Sequence, residues 1–211
     1  MSRKTYEGKG IDISFDGRLC IHARECVTGL PRVFEADARG PWIQPDQASV
    51  EQIAAVAHNC PSGAIQFRRR DGGPDEMPPE VNTVRIKENG PLAFHAELQI
   101  SGKSVGCRAT LCRCGASKNK PYCDGSHTEA GFSATGEPPS KELAVLESCG
   151  GPLEVKPAPN GPLLVAGPLE IMAGTGRAVD RMTQTALCRC GASANKPYCD
   201  GSHSKIAFEA E

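Results

Sequence analysis

The sequence has few aromatic side chains and no long apolar run. Phe, Trp and Tyr make up 5% of its 211 residues, and no stretch approaches the roughly 18 apolar residues that a membrane-spanning helix requires. Its beginning, Met1-Ser-Arg-Lys-Thr, lacks the apolar core of a signal peptide. We therefore expect a cytoplasmic protein that binds no membrane.

The chain also lacks an excess of charge of either sign. Its formal net charge is -1, which gives no general attraction to nucleic acid or to an anionic membrane. We interpret the short run Arg68-Arg69-Arg70 as a solvated domain edge, so we expect no nucleic-acid partner. The sequence shows no glycine-rich phosphate loop and no nucleophile with a matching base, and this pattern does not indicate an enzyme.

Cysteine, in contrast, is abundant, with eleven residues. A reducing compartment keeps thiols free, so a disulfide scaffold is not expected. Nine of the cysteines fall into three groups, and metal ligation would account for all nine. Cys107 and Cys149 are left over, and we expect both to be free thiols.

Two of the three groups lie in a sixteen-residue cassette that occurs twice. The first copy reads Cys112-Arg-Cys114-Gly-Ala-Ser-Lys-Asn-Lys-Pro-Tyr-Cys123-Asp-Gly-Ser-His127; the second, Cys188 to His203, differs only where Ala194 replaces Lys118. Each copy offers three thiols and one imidazole, a ligand set that also suits structural zinc. We expect Asp124 to cap a helical turn that brings Cys123 and His127 to one face.

The cassette pattern, CxC followed by a distal Cys-Asp-Gly-Ser-His, resembles the CDGSH iron–sulfur domain, also called the NEET family, at every ligand position of both copies. The resemblance implies a [2Fe-2S] cluster in each cassette. One cluster would be held by Cys112 and Cys114 on one iron and by Cys123 and His127 on the other; the second would be held by Cys188, Cys190, Cys199 and His203. Asp124 and Asp200 are expected to orient loop and histidine through hydrogen bonds. Protonation of the histidine ligands is expected to loosen the clusters.

The third group of cysteines lies near the start of the chain. Cys20 and Cys26 are followed distally by Cys60-Pro61, as in bacterial ferredoxins, but Ala23 occupies the middle position of the CxxCxxC motif. The missing thiol favours a [3Fe-4S] cluster on Cys20, Cys26 and Cys60. The alternative is a [4Fe-4S] cluster whose fourth iron takes His22 or an exogenous ligand. Residues 6–70 resemble the divergent mono-cluster ferredoxin family, whose members differ in cluster type.

The organisation follows from the repeats and from a Pro- and Gly-rich break after Arg70. We predict a ferredoxin-like domain over 1–72, a linker over 73–80, and CDGSH repeats over 81–139 and 140–211. In the first domain we predict strands at Ile11 to Phe15 and Ala64 to Phe67, with a helix over about 50–59 opened by Ser49 and Gln52 as a capping box.

In the repeats, period-two alternation from Leu92 to Ile100 and from Leu163 to Ile171 predicts equivalent strands, each followed by another that ends at Leu111 or Leu187. The expected fold class is α+β. Because each repeat is too small to bury much apolar surface, we predict a mostly β, pseudo-twofold, dimer-like packing of the two repeats within one chain, and hence a monomer.

The leading functional hypothesis is an electron-transfer protein with soluble redox partners. The alternative is a carrier or redox or pH sensor that passes labile [2Fe-2S] clusters to apo iron–sulfur acceptors. A third, weaker interpretation is a zinc-stabilised interaction module. The sequence does not identify the redox partner or the reduction potentials.

Overall fold

A computed structural model of the protein describes residues 3–210. The chain divides into two compact units, one ending at Met77 and the other beginning at Pro78. Within the described range, no helix has both the length and the apolar character needed to cross a bilayer. Strands predominate in the described part of the chain, and the few helices are short.

The first unit is built on a three-stranded antiparallel sheet in the order β1-β2-β3. The strands are β1 (Lys4–Tyr6), β2 (Ile11–Phe15) and β3 (Ile65–Arg69). Between β2 and β3 lie α1 (Glu25–Gly29), a 3₁₀ turn (Pro45–Gln47) and α2 (Val50–His58). The predicted strand at Ile11 to Phe15 is confirmed, and the returning strand lies about where it was expected.

Helix α2 begins with the predicted capping box. The Ser49 hydroxyl accepts a hydrogen bond from the Gln52 N–H, and the Gln52 side chain accepts one from the Ser49 N–H. Two main-chain N–H groups at the helix start are thereby satisfied. Ile53 and Ala57 of α2 are fully buried. The core that they join comprises Ile11, Ile13, Val33, Phe34, Ile43, Ile53, Ala54, Ala57, Ile65 and Phe67.

The arginine run at the end of β3 forms ion pairs within this unit. Arg68 and Arg70 both bind the Asp12 carboxylate, at 2.9 and 2.8 Å, and Arg69 binds Asp71 at 2.6 Å. The run therefore edges the sheet with locally compensated charge.

The second unit contains a six-stranded sheet. Its strands are β4 (Thr83–Ile86), β5 (Leu92–Ile100), β6 (Lys103–Leu111), β7 (Pro152–Pro157), β8 (Leu163–Met172) and β9 (Ala178–Leu187). The four strands predicted from the alternating repeats, β5, β6, β8 and β9, are all present. Strands β4 and β7 were not predicted; β4 is only four residues long and β7 starts and ends with proline, which weakens a strand signal.

Strands β4 and β7 connect the two repeats. Strand β4 pairs antiparallel with β5 of its own repeat and parallel with β8 of the other, while β7 pairs antiparallel with β8 and parallel with β5. The registers are equivalent: Val84 lies opposite Ile171, and seventy-one residues later Val155 lies opposite Ile100. Each repeat thus contributes one strand to the edge of its neighbour's hairpin.

The inward faces of these strands form one continuous core. Its buried members are Val84, Ile86, Leu92, Phe94, Ala96, Leu98, Ile100, Ala109, Leu111, Leu153, Val155, Leu163, Val165, Leu169, Ile171, Ala173, Val179 and Leu187. Both repeats therefore contribute side chains to one shared core. The core ends at Leu111 and Leu187, and the residue after each is the first cysteine of a cassette.

Candidate metal centres

The first cysteine pair of each cassette leaves the end of a strand. Cys112 follows β6, its N–H donates to the Pro121 carbonyl (2.8 Å), and its Sγ lies 3.7 Å from Sγ of Cys114. In the second copy, Cys188 follows β9 and its Sγ lies at the same 3.7 Å from Sγ of Cys190. The rigid strand end therefore fixes the first thiol, and the loop brings the second beside it.

The second donor pair lies where the cassette returns to the strand. The Cys123 N–H donates to the carbonyl of Thr110 in β6 (2.9 Å), and Cys123 Sγ lies 3.4 Å from Nδ1 of His127. In the second cassette, Cys199 Sγ lies 3.3 Å from Nδ1 of His203. Sequence reasoning joined the same residues into pairs, and the structure brings each of those pairs together.

The donors of each cassette form two separate pairs. Two sulfurs bonded to one tetrahedral metal at about 2.3 Å lie roughly 3.8 Å apart, and both CxC pairs have this spacing. Each CxC pair is therefore spaced as two ligands of one metal ion are.

The thiols of the first cassette differ in acidity. The neighbouring Cys114 thiol lowers the pKa of Cys112 to about 6, and main-chain N–H groups of Ser117 and Gly115 lower it further against the effect of burial. Burial raises the pKa of Cys123 to about 11 and lowers the pKa of His127. Cys112 is thus the more acidic thiol of its pair, and the lowered pKa of His127 favours the neutral, metal-binding form of its ring.

The cassette aspartates accept hydrogen bonds from main-chain N–H groups of their own loops, where a helix cap was predicted. Asp124 accepts hydrogen bonds from the N–H groups of Ser126 (3.0 Å) and Lys118 (2.8 Å), so it closes a turn of the kind that aspartate forms with the residue two positions on. Burial would raise its pKa, but hydrogen bonds led by that with Ser126 hold the pKa of Asp124 below its ordinary value.

The second cassette corrects the expectation that the aspartate caps a helix. Asp200 accepts from the N–H groups of Ser202 (2.9 Å) and Ala194 (2.8 Å), but α3 (Ser202–Lys205) is preceded by Gly201 at φ 83°. The N-cap residue is thus Gly201 and not Asp200. The left-handed backbone of this glycine, a conformation that glycine adopts readily, separates the aspartate from the first helical residue. The equivalent segment of the first cassette forms turns without a helix.

The two cassettes are in direct contact. Cys114 and Cys190, the second cysteine of each CxC pair, form an isolated antiparallel β-bridge through their backbones. Residues paired in this way have Cα atoms about 4.5 to 5.5 Å apart. Two candidate metal centres are therefore adjacent at this point, an arrangement that the sequence did not predict.

Sequence reasoning also missed the residue between the two cysteines of each CxC pair. Arg113 and Arg189 are 1% and 0% exposed. The Arg113 guanidinium donates to the carbonyls of Gly90 (2.8 Å) and Lys87 (2.6 Å), among others, and Arg189 donates to that of Gly161 (2.8 Å). The signal available in the sequence was an arginine at the same place in both cassettes. Because arginine is rarely buried, a buried position was not expected.

The first unit has its own thiol-lined cavity. Cys20, Cys26 and Cys60 lie on its wall together with Phe15 and Trp42, whose rings meet edge to face at 4.9 Å. Burial raises the pKa of Cys20 and of Cys26. The three predicted ligands therefore share one largely apolar cavity, of the kind that protects a cluster from water.

The loop between Cys20 and Cys26 has an unusual backbone. His22 and Arg24 have φ values of 54° and 66°, in the left-handed region, and flank Ala23. Ala23 and His22 both line the cavity. The position at which a ferredoxin would place the second, middle thiol of its CxxCxxC motif thus lines the site with only a methyl group, and His22 also borders the cavity.

Two cysteines lie outside the three candidate sites. Cys107 is buried in β6, and Cys149 lies in the irregular segment before β7.

Comparison with known proteins identifies both parts of the chain. The model described as "Divergent 4Fe-4S mono-cluster" matches residues 6–70, and that described as "Iron-binding zinc finger CDGSH type" matches residues 80–128 and 160–204. No solved structure matches the chain significantly.

Individual relatives agree with the family models. The uncharacterized protein YjdI of Escherichia coli K12 is 37% identical over 67 residues, which are 32% of this chain and 87% of the relative. CDGSH iron-sulfur domain-containing protein 1 of Bos taurus is 34% identical over 82 residues, or 38% of this chain and 74% of the relative; the Mus musculus protein of the same name is 32% identical over 81 residues, or 37% and 71%. The chain therefore belongs to the CDGSH iron–sulfur family and carries, at its N-terminal end, a domain of the divergent mono-cluster iron–sulfur family.

Proposed function

We propose that this protein is an electron carrier that holds three iron–sulfur clusters and exchanges single electrons with soluble redox proteins. The proposal gives each cassette a [2Fe-2S] cluster with three cysteine ligands and one histidine. The first set is Cys112, Cys114, Cys123 and His127; the second is Cys188, Cys190, Cys199 and His203. When bound, such clusters supply reversible one-electron chemistry.

The observation that carries this proposal is the contact between the cassettes. Because the bridge between Cys114 and Cys190 joins a ligand of one site to a ligand of the other, the two centres lie close together. Proximity favours electron exchange between them, whereas a storage or structural role needs no such contact. Burial of Cys112 and Cys188 at 1% exposure each supports sites that exclude water on their inner side.

The strand exchange supports a further part of the proposal, a pseudo-twofold arrangement of repeats 81–139 and 140–211. Strands β4 and β7 occupy equivalent places in equivalent registers, as two subunits of a dimer would. The second half of the interface is then supplied by the same chain, so the protein functions as a monomer.

For the first unit we propose a [3Fe-4S] cluster on Cys20, Cys26 and Cys60, within a domain that extends to residue 72 and is joined to the repeats by a linker over 73–80. Three thiols line the cavity and Ala23 offers no fourth. The alternative is a [4Fe-4S] cluster whose fourth iron takes His22 or an external ligand, and His22 at the cavity wall supports it.

Transfer of whole clusters is the second candidate function. In the second cassette, Cys199 and His203 are only half-buried, so solvent or an acceptor protein could reach one donor pair while the other pair stays enclosed. An apo iron–sulfur protein would then be the partner, and pH would control release through the histidine ligand.

One set of measurements separates these functions. Protein purified without oxygen should contain iron and acid-labile sulfide in the amounts that the three clusters require, and EPR of the oxidised sample should show a [3Fe-4S] signal. Electron transfer predicts rapid reduction by a flavoprotein reductase and reoxidation by cytochrome c, with the clusters retained. If the [2Fe-2S] spectrum instead appeared on an apo-ferredoxin faster than electrons were exchanged, cluster transfer would be favoured. Zinc without acid-labile sulfide would exclude both functions.

A further inference from the structure

The two cassettes bury a pair of equivalent arginines, Arg113 and Arg189. Arg113 donates to the carbonyls of Gly90, Lys87, Ala134 and Thr135. Within residues 3–210, no carboxylate lies within ion-pair distance of its guanidinium, and Glu88 acts on it only from further away. A buried charge without a close counter-ion is costly. Some other negative group must therefore balance it in the working protein.

Both arginines carry a positive charge, because the guanidinium group of arginine stays protonated in proteins. An aromatic ring lies over each guanidinium. The ring centroid of Phe132 is 5.3 Å from Cζ of Arg113, and that of Phe208 is 5.6 Å from Cζ of Arg189.

Each arginine lies between the two cysteines of its own CxC pair, and the backbone of the second cysteine pairs with that of the opposite cassette, Cys114 with Cys190. Both candidate sites are therefore near each buried guanidinium. Electrostatic interactions agree with this placement, since Arg113 interacts with Cys188 as well as with Cys114, and Arg189 interacts with Cys112.

We propose that Arg113 and Arg189 are positioning charges that raise the reduction potential of both [2Fe-2S] clusters, each arginine acting on the opposite cluster as well as on its own. This inference rests on the proposed electron-carrier function, since it requires a cluster in each cassette. The two arginines set the charge balance of the paired sites; they ligate no iron.

The physical reason is the charge added on reduction. A [2Fe-2S] core with three thiolates and one neutral imidazole carries one unit of negative charge when oxidised and two when reduced. A nearby fixed cation stabilises the reduced state more, and little solvent is present to screen it at a fully buried site. Removing the cation therefore lowers the reduction potential. Because the positive charge lies near both sites, it also offsets part of the repulsion between two reduced clusters.

The test compares two substitutions at each arginine. Arg113→Gln and Arg189→Gln remove the charge but keep an N–H donor, whereas Arg113→Lys and Arg189→Lys keep the charge but lose most of the hydrogen bonds. Redox titration of the purified holoprotein, followed by EPR of the reduced clusters, is the measurement. We expect each glutamine variant to lower the reduced-to-oxidised ratio at a fixed ambient potential roughly tenfold, which corresponds to about 59 mV for a one-electron couple. The lysine variants should shift it much less.

The effect of each arginine on the cluster of the opposite cassette is measured separately. In a His127→Cys background the first cluster has four cysteine ligands, so its spectrum differs from that of the second. In that background, Arg189→Gln should lower the potential of the first cluster at least as much as that of the second. Arg177→Gln is the matched control, because Arg177 is half exposed and already paired with Glu137; it should leave both potentials unchanged.

Outcomes that contradict the inference are equally definite. If the glutamine and lysine variants shift the potential equally, or lose clusters equally, the arginines act only through their hydrogen bonds to main-chain carbonyl groups and not through their charge. Retention of clusters by lysine but not by glutamine would support a requirement for charge. Iron and sulfide analysis of the unsubstituted protein is done first; absence of [2Fe-2S] clusters there overturns the proposed function itself, whereas clusters with unshifted potentials in the glutamine variants overturn only the role of the arginines.

Discussion

Gly115 lies against the main-chain carbonyl of Cys190, so closely that a Cβ atom added to the glycine would be 2.5 Å from the carbonyl oxygen. Gly191 lies at the same distance from the carbonyl oxygen of Cys114. Both glycines also have positive φ values, 82° and 84°. Two constraints therefore require glycine after each CxC pair: the positive φ of its own backbone and the close approach of a carbonyl oxygen of the opposite cassette.

This relationship predicts that Gly115→Ala disturbs both candidate sites. Gly125→Ala is the matched control, because Gly125 has φ 89° but open space where a Cβ would be. The control should cost about 1 to 2 kcal/mol from backbone strain alone. Gly115→Ala must also displace Cys190, so it should lower the iron content and the melting temperature well beyond the control. Equal effects of the two substitutions would show that contact between the cassettes contributes nothing to cluster binding.

The histidine ligands provide a prediction about pH. Protonation of the ligating nitrogen breaks a metal bond, whereas a cysteine ligand at the same place has no such route near neutrality. His127→Cys and His203→Cys should therefore lose visible absorbance more slowly at pH 6 than the unsubstituted protein does. His58→Gln, a substitution outside both cassettes, is expected to leave the rate unchanged. If both cysteine variants lose their clusters as fast as the parent, histidine protonation does not control retention.

Stability of the first unit should depend on Asp12. Burial alone would raise its pKa, but hydrogen bonds from the side chains of Arg68 and Arg70 and from the Gly8 N–H hold the pKa of Asp12 below its ordinary value. A lowered pKa in the folded state means that the stabilisation is present above the unfolded value, near 3.9, and is lost as pH falls through the folded value.

The corresponding substitution is Asp12→Asn. It should destabilise the first unit by about 1 to 3 kcal/mol at pH 7, since two arginines lose their charged acceptor. The difference from the parent should shrink as the pH is lowered below about 4. Urea unfolding at several pH values measures both effects. A difference that stays constant down to pH 2 would mean that the carboxylate charge is not the source of the stability.

Much of the local structure could be predicted from the sequence, because local signals carry it. The Ser49 and Gln52 capping box identified α2, and alternation of apolar residues identified β5 and β8. Donor pairing within each cassette could also be predicted, because the paired donors are only two or four positions apart. These features depend on neighbours in the chain, so the order of the residues is sufficient to specify them.

Most of the features that escaped prediction depend on distant contacts. Strands β4 and β7 are short, and their parallel partners belong to the other repeat. The bridge between Cys114 and Cys190 and the burial of Arg113 arise only once the repeats are packed together. The aspartate turn was mistaken for a helix cap because Asp-Gly-Ser suits both, and only the φ of Gly201 distinguishes them.

The cluster type in the first unit can be tested by restoring the missing thiol. Ala23 lines the same cavity as Cys20, Cys26 and Cys60, so Ala23→Cys should supply a fourth ligand and allow a [4Fe-4S] cluster. The oxidised parent protein should show a [3Fe-4S] EPR signal, and the oxidised variant should lose it and gain a [4Fe-4S] signal on reduction. His22→Ala is the companion variant, and it should leave the parent signal intact if histidine is not a ligand. A parent protein that is EPR-silent when oxidised, and that loses iron in His22→Ala, would instead identify His22 as the ligand of a fourth iron.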